Sequence, residues 1–144
     1  MGKKLQILVL EDDHLQARDL RHELEKVFDA EVRVISTEHE FRQVLPEIAE
    51  APPRVAVLDR MVRWADPAPD MPLPPQEDWD PEEAGLRCAE LLEGDERTRS
   101  AKILLFSVLG DGGNINGFEC FVKESEFGNL TERIKDFIQE QGPA

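Results

Sequence analysis

Two spacings of apolar residues alternate along the chain. Leu5-Gln6-Ile7-Leu8-Val9-Leu10 is a short, β-branched apolar run, the pattern of a strand buried on both faces. From His14 to Phe28 the apolar residues Ala17, Leu20, Leu24, Val27 and Phe28 recur at helical spacing. Glu31 to Ser36 again reads as a strand. Thr37 followed by Glu40 resembles a capping box and opens a helix carrying Phe41, Val44, Leu45 and Ile48. Pro46 should disturb the second half of that helix. Val55-Ala56-Val57-Leu58 predicts a third strand, ending at Asp59. Asp80-Pro81 offers an N-cap and a first-turn proline for a helix to about Glu93, stopped by Gly94. Ile103 to Phe106 and Phe118 to Val122 predict two more strands. A last helix starts at Gly128 or Asn129, with Leu130, Ile134, Phe137 and Ile138 on its apolar face. Strand and helix in alternation predict an α/β fold, a parallel sheet covered on both faces by right-handed crossovers.

Composition adds one feature to this pattern. The 144 residues hold 31 acids and 17 bases, a formal charge of −14. That balance argues against nucleic acid as a partner, because binding it needs a basic face. Half of the charge lies between Trp64 and Glu83, where Asp66, Asp70, Glu77, Asp78, Asp80, Glu82 and Glu83 stand with no base. Six of the ten prolines fall in the same stretch. Proline fixes φ and removes a donor, so this is an extended loop leaning toward polyproline II. One domain over residues 1–144 is expected, with an acidic, proline-rich insertion at about 62–83. No apolar run approaches the roughly 20 residues of a membrane span, and no signal-peptide pattern precedes Leu5. A soluble, cytoplasmic protein with no membrane partner is the expectation. Cys88 and Cys120 read as buried reduced thiols. Trp64 and Trp79 bracket the insertion and read as its anchors. His14 reads as an exposed first-turn residue, and His22 and His39 as solvated helix residues.

In parallel α/β sheets ligands sit at the carboxyl ends of the strands. There the chain places Glu11-Asp12-Asp13, Asp59, Ser107 and Lys123. If the first and third strands are neighbours, several carboxylates share one crevice. Two such charges about 4 Å apart repel by about 4 kcal/mol at an effective dielectric near 20. They must take up protons, separate or bind a cation, and an all-oxygen nest suits Mg²⁺, with Mn²⁺ as an alternative. Lys123 can neutralise one carboxylate, and Ser107 can donate from its hydroxyl. These parts allow a carboxylate to attack phosphorus.

Leu8-Val9-Leu10-Glu11-Asp12-Asp13, Val57-Leu58-Asp59, Leu105-Phe106-Ser107 and Phe121-Val122-Lys123 together resemble the receiver domains of two-component response regulators. The likeness runs from about Lys4 to Gln139. It implies a doubly wound, flavodoxin-like sheet of five parallel strands in the order 2-1-3-4-5. It also implies Asp59 as phosphoacceptor, with Ser107 and Lys123 contacting the phosphoryl group. Glu11, Asp12, Asp59 and the main-chain carbonyl of Met61 would be the metal ligands. A histidine kinase or phosphotransfer protein would be the donor and another protein the downstream partner. The role is then regulatory, with no enzyme activity beyond the domain's own phosphoryl transfer and dephosphorylation.

The sequence departs from the family at several points. Asp59 and Gly85 are 26 residues apart, where the family has a short loop. Only fifteen residues separate Ser107 from Lys123, and four are glycines, so the fourth helix should be missing or reduced to a turn. Cys120 holds the position of the family's switching aromatic. Glu124 follows Lys123 where a proline is common, and Val108 should narrow the approach to Asp59. The reading that follows is a stand-alone phosphoacceptor receiver, five residues following Gln139. The alternative is a receiver-like interaction module whose phospho-switching has decayed. An aspartyl phosphatase is disfavoured by Met61, which stands where a second acid is needed.

Overall fold

Three central strands carry continuous apolar runs, Ile7–Leu10, Val55–Leu58 and Ile103–Phe106, because water reaches neither of their faces there. β1 (Gln6–Leu10), β3 (Val55–Leu58) and β4 (Lys102–Ser107) pair in parallel, with Leu10 opposite Leu58 and Leu58 opposite Leu105. The computed structural model describes residues 4–76, 79–108, 113–123 and 125–141. β2 (Glu31–Ile35) flanks β1, and β6 (Phe118–Val122) flanks β4, both in parallel. Counting only these five, the order is the expected 2-1-3-4-5, and a sixth strand extends the sheet beyond β6.

Period-two alternation splits the core into two layers. Leu8, Leu10, Ala56, Leu58, Ile103 and Leu105 face one side, against α2 (Glu38–Glu50) and α3 (Ala84–Gly94). Ile7, Val9, Val55, Val57, Leu104 and Phe106 face the other, against α1 (His14–Phe28) and α4 (Phe127–Gln141). Glu11 and Asp59 continue the second alternation, so both emerge on the α1/α4 side. Because Leu10 and Leu58 are register partners, the two acids leave the sheet at the same level.

Local chemistry sets the helix starts. Asp13 caps α1 by accepting from the amides of Leu15 (2.9 Å) and Gln16 (3.0 Å). Thr37 accepts from the Glu40 amide at 3.1 Å, and the Glu40 carboxylate reaches back to the Ser36 amide. Pro46 does not end α2, which runs through to Glu50. An internal proline costs about 3 kcal/mol, and full burial of one large aliphatic side chain recovers about 1.5–3 kcal/mol. Ile48 and Ala49 are buried beyond the proline and Leu45 packs beside them, which offsets the cost. α3 starts later than the sequence suggests: Pro81–Glu83 forms a 3-10 turn, and the α-helix begins at Ala84 and includes Gly94. The Val62 amide donates to the Pro81 carbonyl, which ties this turn to the chain leaving β3.

Among the described residues no helix lies between β4 and β6. A short strand, β5 (Gly113–Ile115), stands there, antiparallel to β6 at the sheet edge. Asn116 (φ 52°) and Gly117 (φ 89°) turn the chain between them, the paired positive φ values of a tight hairpin. Gly110, Gly112 and Glu124 lie outside the described residues.

Candidate functional site

At the carboxyl ends of β1 and β3 the main chain is pinned before any side chain is considered. The Glu11 amide donates to Ile35 (3.0 Å) and the Asp59 amide to Leu10 (2.9 Å). Glu11 is 3% and Asp59 7% exposed, and Asp12 is half-buried beside them. Carboxylate oxygens of all three lie within 4.8 Å of one another. Lys123, just past β6, sends its ammonium into this cluster. It donates to Glu11, to Asp59 Oδ2 at 2.8 Å and to Gln16 Oε1 at 2.8 Å. Ser107 is fully buried at the end of β4, and its carbonyl accepts from the Lys123 amide at 3.0 Å. Met61 donates its amide to Asp59 Oδ1 at 3.2 Å. The structure therefore brings Glu11, Asp12, Asp59, Met61 and Lys123 into one crevice, with Ser107 at its β4 side.

Burial and the pairing of Lys123 with the carboxylates act in opposite senses on this group. Glu11 is held above the usual carboxylate range, first by burial and then by the negative charge of Asp59, with the Lys123 hydrogen bond opposing them. For Lys123 burial favours the neutral amine, but hydrogen bonds to Asp59 and Glu11 outweigh it and raise the pKa. Three carboxylates against one ammonium leave a surplus of negative charge in a crevice shielded from water. An all-oxygen set of this kind fits a hard divalent cation.

Two residues missed by sequence reasoning complete the rim. Gln16, one turn into α1, is the third acceptor for Lys123. Arg63 holds Asp12 from both ends, its amide on Asp12 Oδ2 (3.1 Å) and its guanidinium on the Asp12 carbonyl (3.0 Å). No local signal marks Arg63, whose partner lies 51 positions away. Gln16 did carry one: it sits three residues past the N-cap, on the turn nearest the strand ends. Val108 is 52% exposed and lines, with Glu11, Gln16, Lys123, Phe106 and Phe127, a cleft of about 460 Å³ beside the crevice. Cys120 is buried on the opposite face, and burial raises its thiol pKa. Cys88 is also buried and its thiol is raised strongly by the same cause. Both cysteines are free thiols, as expected.

The insertion is fastened at both ends. Trp64 is buried and donates from Nε1 to the Pro72 carbonyl at 2.8 Å, and Trp79 donates to Glu38 Oε1 at 2.7 Å. The two rings meet edge-on with centroids 6.3 Å apart, so both tryptophans anchor the segment. His14 and His22 are exposed, but His39 is not simply solvated. It is half-buried, its ring 5.2 Å from Trp64, because the insertion folds back over the start of α2.

Gly85 shows how closely α3 approaches Asp59. Its amide donates to the Arg60 carbonyl at 2.8 Å, and a Cβ added there would stand 2.0 Å from the Asp59 carbonyl oxygen and 2.7 Å from Arg60 Cα. Alanine gains about 1 kcal/mol of helix propensity, but the clash is with backbone and cannot be relieved by a rotamer. Overpacking of this kind costs about 1–3 kcal/mol and sometimes more. Gly85→Ala should therefore lower the melting temperature. Gly94→Ala, with nothing within 4 Å of the added carbon, should not. Equal melting of the two variants would show that α3 yields freely at Asp59.

Neither a protein-family model nor a curated protein matches the chain. Solved structures do match. The CheY-like response regulator receiver domain from Methylobacillus flagellatus aligns with a TM-score of 0.65 at 14% identity, covering 94% of this chain and 100% of that one. The BeF3-activated N-terminal receiver domain of Klebsiella pneumoniae RstA gives 0.64 at 19% identity, covering 92% and 97%. The signal receiver domain of a signal transduction histidine kinase from Syntrophus aciditrophicus gives 0.64 at 17%, covering 94% and 90%. The chain has the α/β fold of response-regulator receiver domains. Among the described residues no helix is long and apolar enough to cross a membrane.

Proposed function

We propose that this chain is a phosphoacceptor receiver domain that takes a phosphoryl group on Asp59 and signals through protein contacts. The observation that carries this reading is the Lys123 ammonium bridging Glu11 and Asp59, with Asp12 alongside, at the strand ends of a receiver fold. A carboxylate oxygen of Asp59 attacks the phosphorus of a phosphohistidine on a kinase or phosphotransfer protein. The P–N bond breaks as the P–O bond forms, and the departing imidazole takes up a proton from solvent. Lys123 moves its hydrogen bond from Asp59 Oδ2 to a phosphoryl oxygen, and Glu11 and Gln16 hold it in place meanwhile. Ser107, at the end of β4, would donate from its hydroxyl to the same phosphoryl group. Glu11, Asp12, Asp59 and the Met61 carbonyl would hold Mg²⁺ or Mn²⁺, which when bound neutralises charge on the transferring group. The activity is regulatory, a stoichiometric self-modification.

Incubation with acetyl phosphate and Mg²⁺ should add one phosphoryl mass to the peptide containing Asp59, and chelation should prevent it. Calorimetry should show Asp12→Ala binding Mn²⁺ about tenfold or more weakly, a difference of about 1.4 kcal/mol. Equal affinity would remove Asp12 from the metal site. Cys120 in place of an aromatic residue, and a hairpin in place of the fourth helix, favour a second reading: a contact module without phospho-switching. Beryllofluoride with Mg²⁺ separates the two, since only an intact acceptor site binds it.

A further inference from the structure

We propose that the insertion presents a preformed polyproline II ridge, Met71-Pro72-Leu73-Pro74-Pro75, which docks into an aromatic-lined, basic-rimmed groove on a protein partner. From Met71 to Pro74 the residue types favour one extended conformation, and the chain bends at Pro75. Three of the ridge residues are prolines, with φ fixed near −65°. Met71, Leu73 and Pro74 precede prolines, which disfavours helical backbone and favours extended or polyproline II geometry. Polyproline II has three residues per turn, which would put Met71 with Pro74 and Pro72 with Pro75 on shared edges. Of the first pair, three apart, Met71 is 40% exposed and Pro74 half-buried. Pro72 and Pro75, also three apart, are exposed on a second edge. Leu73 on the third is 83% exposed, the most exposed large apolar side chain described.

The ridge is also held still. The Pro72 carbonyl accepts from Trp64 Nε1, and Trp64 is wedged between His39 and Trp79. The Met71 amide donates to Ala68 at 3.1 Å, closing the turn that leads in. Recognition of such a segment relies on its low entropy, because little order remains to be imposed on binding. Charge fixes the character of the partner. Asp66 and Asp70 precede the ridge, and Asp80, Glu82 and Glu83 follow it. No base occurs from Trp64 to Glu83. A groove rimmed by lysine or arginine complements this field, whereas an anionic lipid surface or nucleic acid is repelled by it.

The test uses the full chain titrated with three purified probes, an EVH1, an SH3 and a WW domain, each bearing an aromatic groove. At least one basic-rimmed probe should bind wild type below about 1 mM, a binding free energy of about −4 kcal/mol. Pro72→Ala/Pro75→Ala should weaken it about tenfold, and Leu73→Glu should do so independently, with melting temperatures unchanged because these side chains are exposed. Raising salt from about 0.05 to 0.5 M should weaken binding several-fold as the acidic flanks are screened. No binding by any probe overturns the proposal. So does equal binding of the proline variants, or concentration-dependent self-association lost in Leu73→Glu, which would make a second copy the occupant. Asp59→Asn should bind the probes like wild type, so failure of the phosphoacceptor reading would leave this result standing.

Discussion

Asp59→Asn should give a folded protein that gains no phosphoryl mass from acetyl phosphate and Mg²⁺. Asparagine keeps the side-chain volume and one acceptor oxygen, so it can still receive the Met61 amide or the Lys123 ammonium now bound to Asp59. What it loses is the anionic oxygen that the proposed transfer needs to attack phosphorus. Folding should change little for an electrostatic reason as well. The Asp59 charge is one of the causes holding Glu11 above the usual carboxylate range, and its removal leaves Lys123 paired with Glu11 alone. The stability change should stay within about 1 kcal/mol. Lys123→Ala should behave oppositely. It leaves two buried carboxylates without their cation, and breaking a buried pair from one side costs about 3–5 kcal/mol. Mass spectrometry and thermal melting of the two variants decide the matter. Labelling that persists in Asp59→Asn would move the acceptor to another carboxylate, Asp12 first among them.

The contrast between these two variants reflects what the amino-acid sequence makes visible. Continuous apolar runs at Ile7–Leu10, Val55–Leu58 and Ile103–Phe106 have the length and β-branched content of strands buried on both faces, and the polar residues that end them mark the crevice. Asp59, Glu11 and Lys123 were legible because strand ends in a parallel sheet converge whatever lies between them. Other features depended on partners that pattern does not reveal. Pro46 looked like a break because its local cost is plain, while the packing of Ile48 that offsets it is tertiary. β5 had a local signal in Asn116-Gly117, a dipeptide suited to paired positive φ, yet the surrounding glycines drew attention to a missing helix. Glu38 had no signal. It sits in the first turn of α2, an ordinary place for an exposed acid at the positive end of a helix. Its main partners, Trp79 and Arg87, lie 41 and 49 positions away.

Glu38→Ala should be among the most destabilising single substitutions in this chain. The Glu38 side chain has no solvent exposure and accepts from three directions. Arg87 donates at 2.9 and 2.7 Å, Arg42 at 3.2 and 3.0 Å, and the Trp79 indole at 2.7 Å. Removing the acid leaves two guanidinium groups and an indole N–H facing a cavity, with Arg87 still stacked over Trp79 at 5.3 Å. A buried charge stripped of its partner costs about 3–5 kcal/mol, a fifth or more of a typical domain's stability of about 5–15 kcal/mol. For a chain of this length that corresponds to a melting temperature about 10 °C lower. Burial alone would raise the Glu38 pKa, but the hydrogen bonds from Arg87, Trp79 and Arg42 together hold it below its ordinary value of 4.5. A depressed carboxylate contributes stability above its unfolded pKa and loses it as pH falls through the folded value. Wild type should therefore lose stability below about pH 4.5 more steeply than Glu38→Gln, which has no charge to titrate. The loss should begin in the insertion. The Glu38 and His39 amides donate to the Arg63 and Trp64 carbonyls, and Arg87 donates to the Asp80 carbonyl, so one acid secures both ends of the segment. Hydrogen exchange in Glu38→Ala should show residues 62–64 and 79–85 opening before β1 and β3. Urea denaturation at pH 7 and pH 3 measures the rest, and a variant melting within about 2 °C of wild type would mean that the cluster contributes almost nothing to folding.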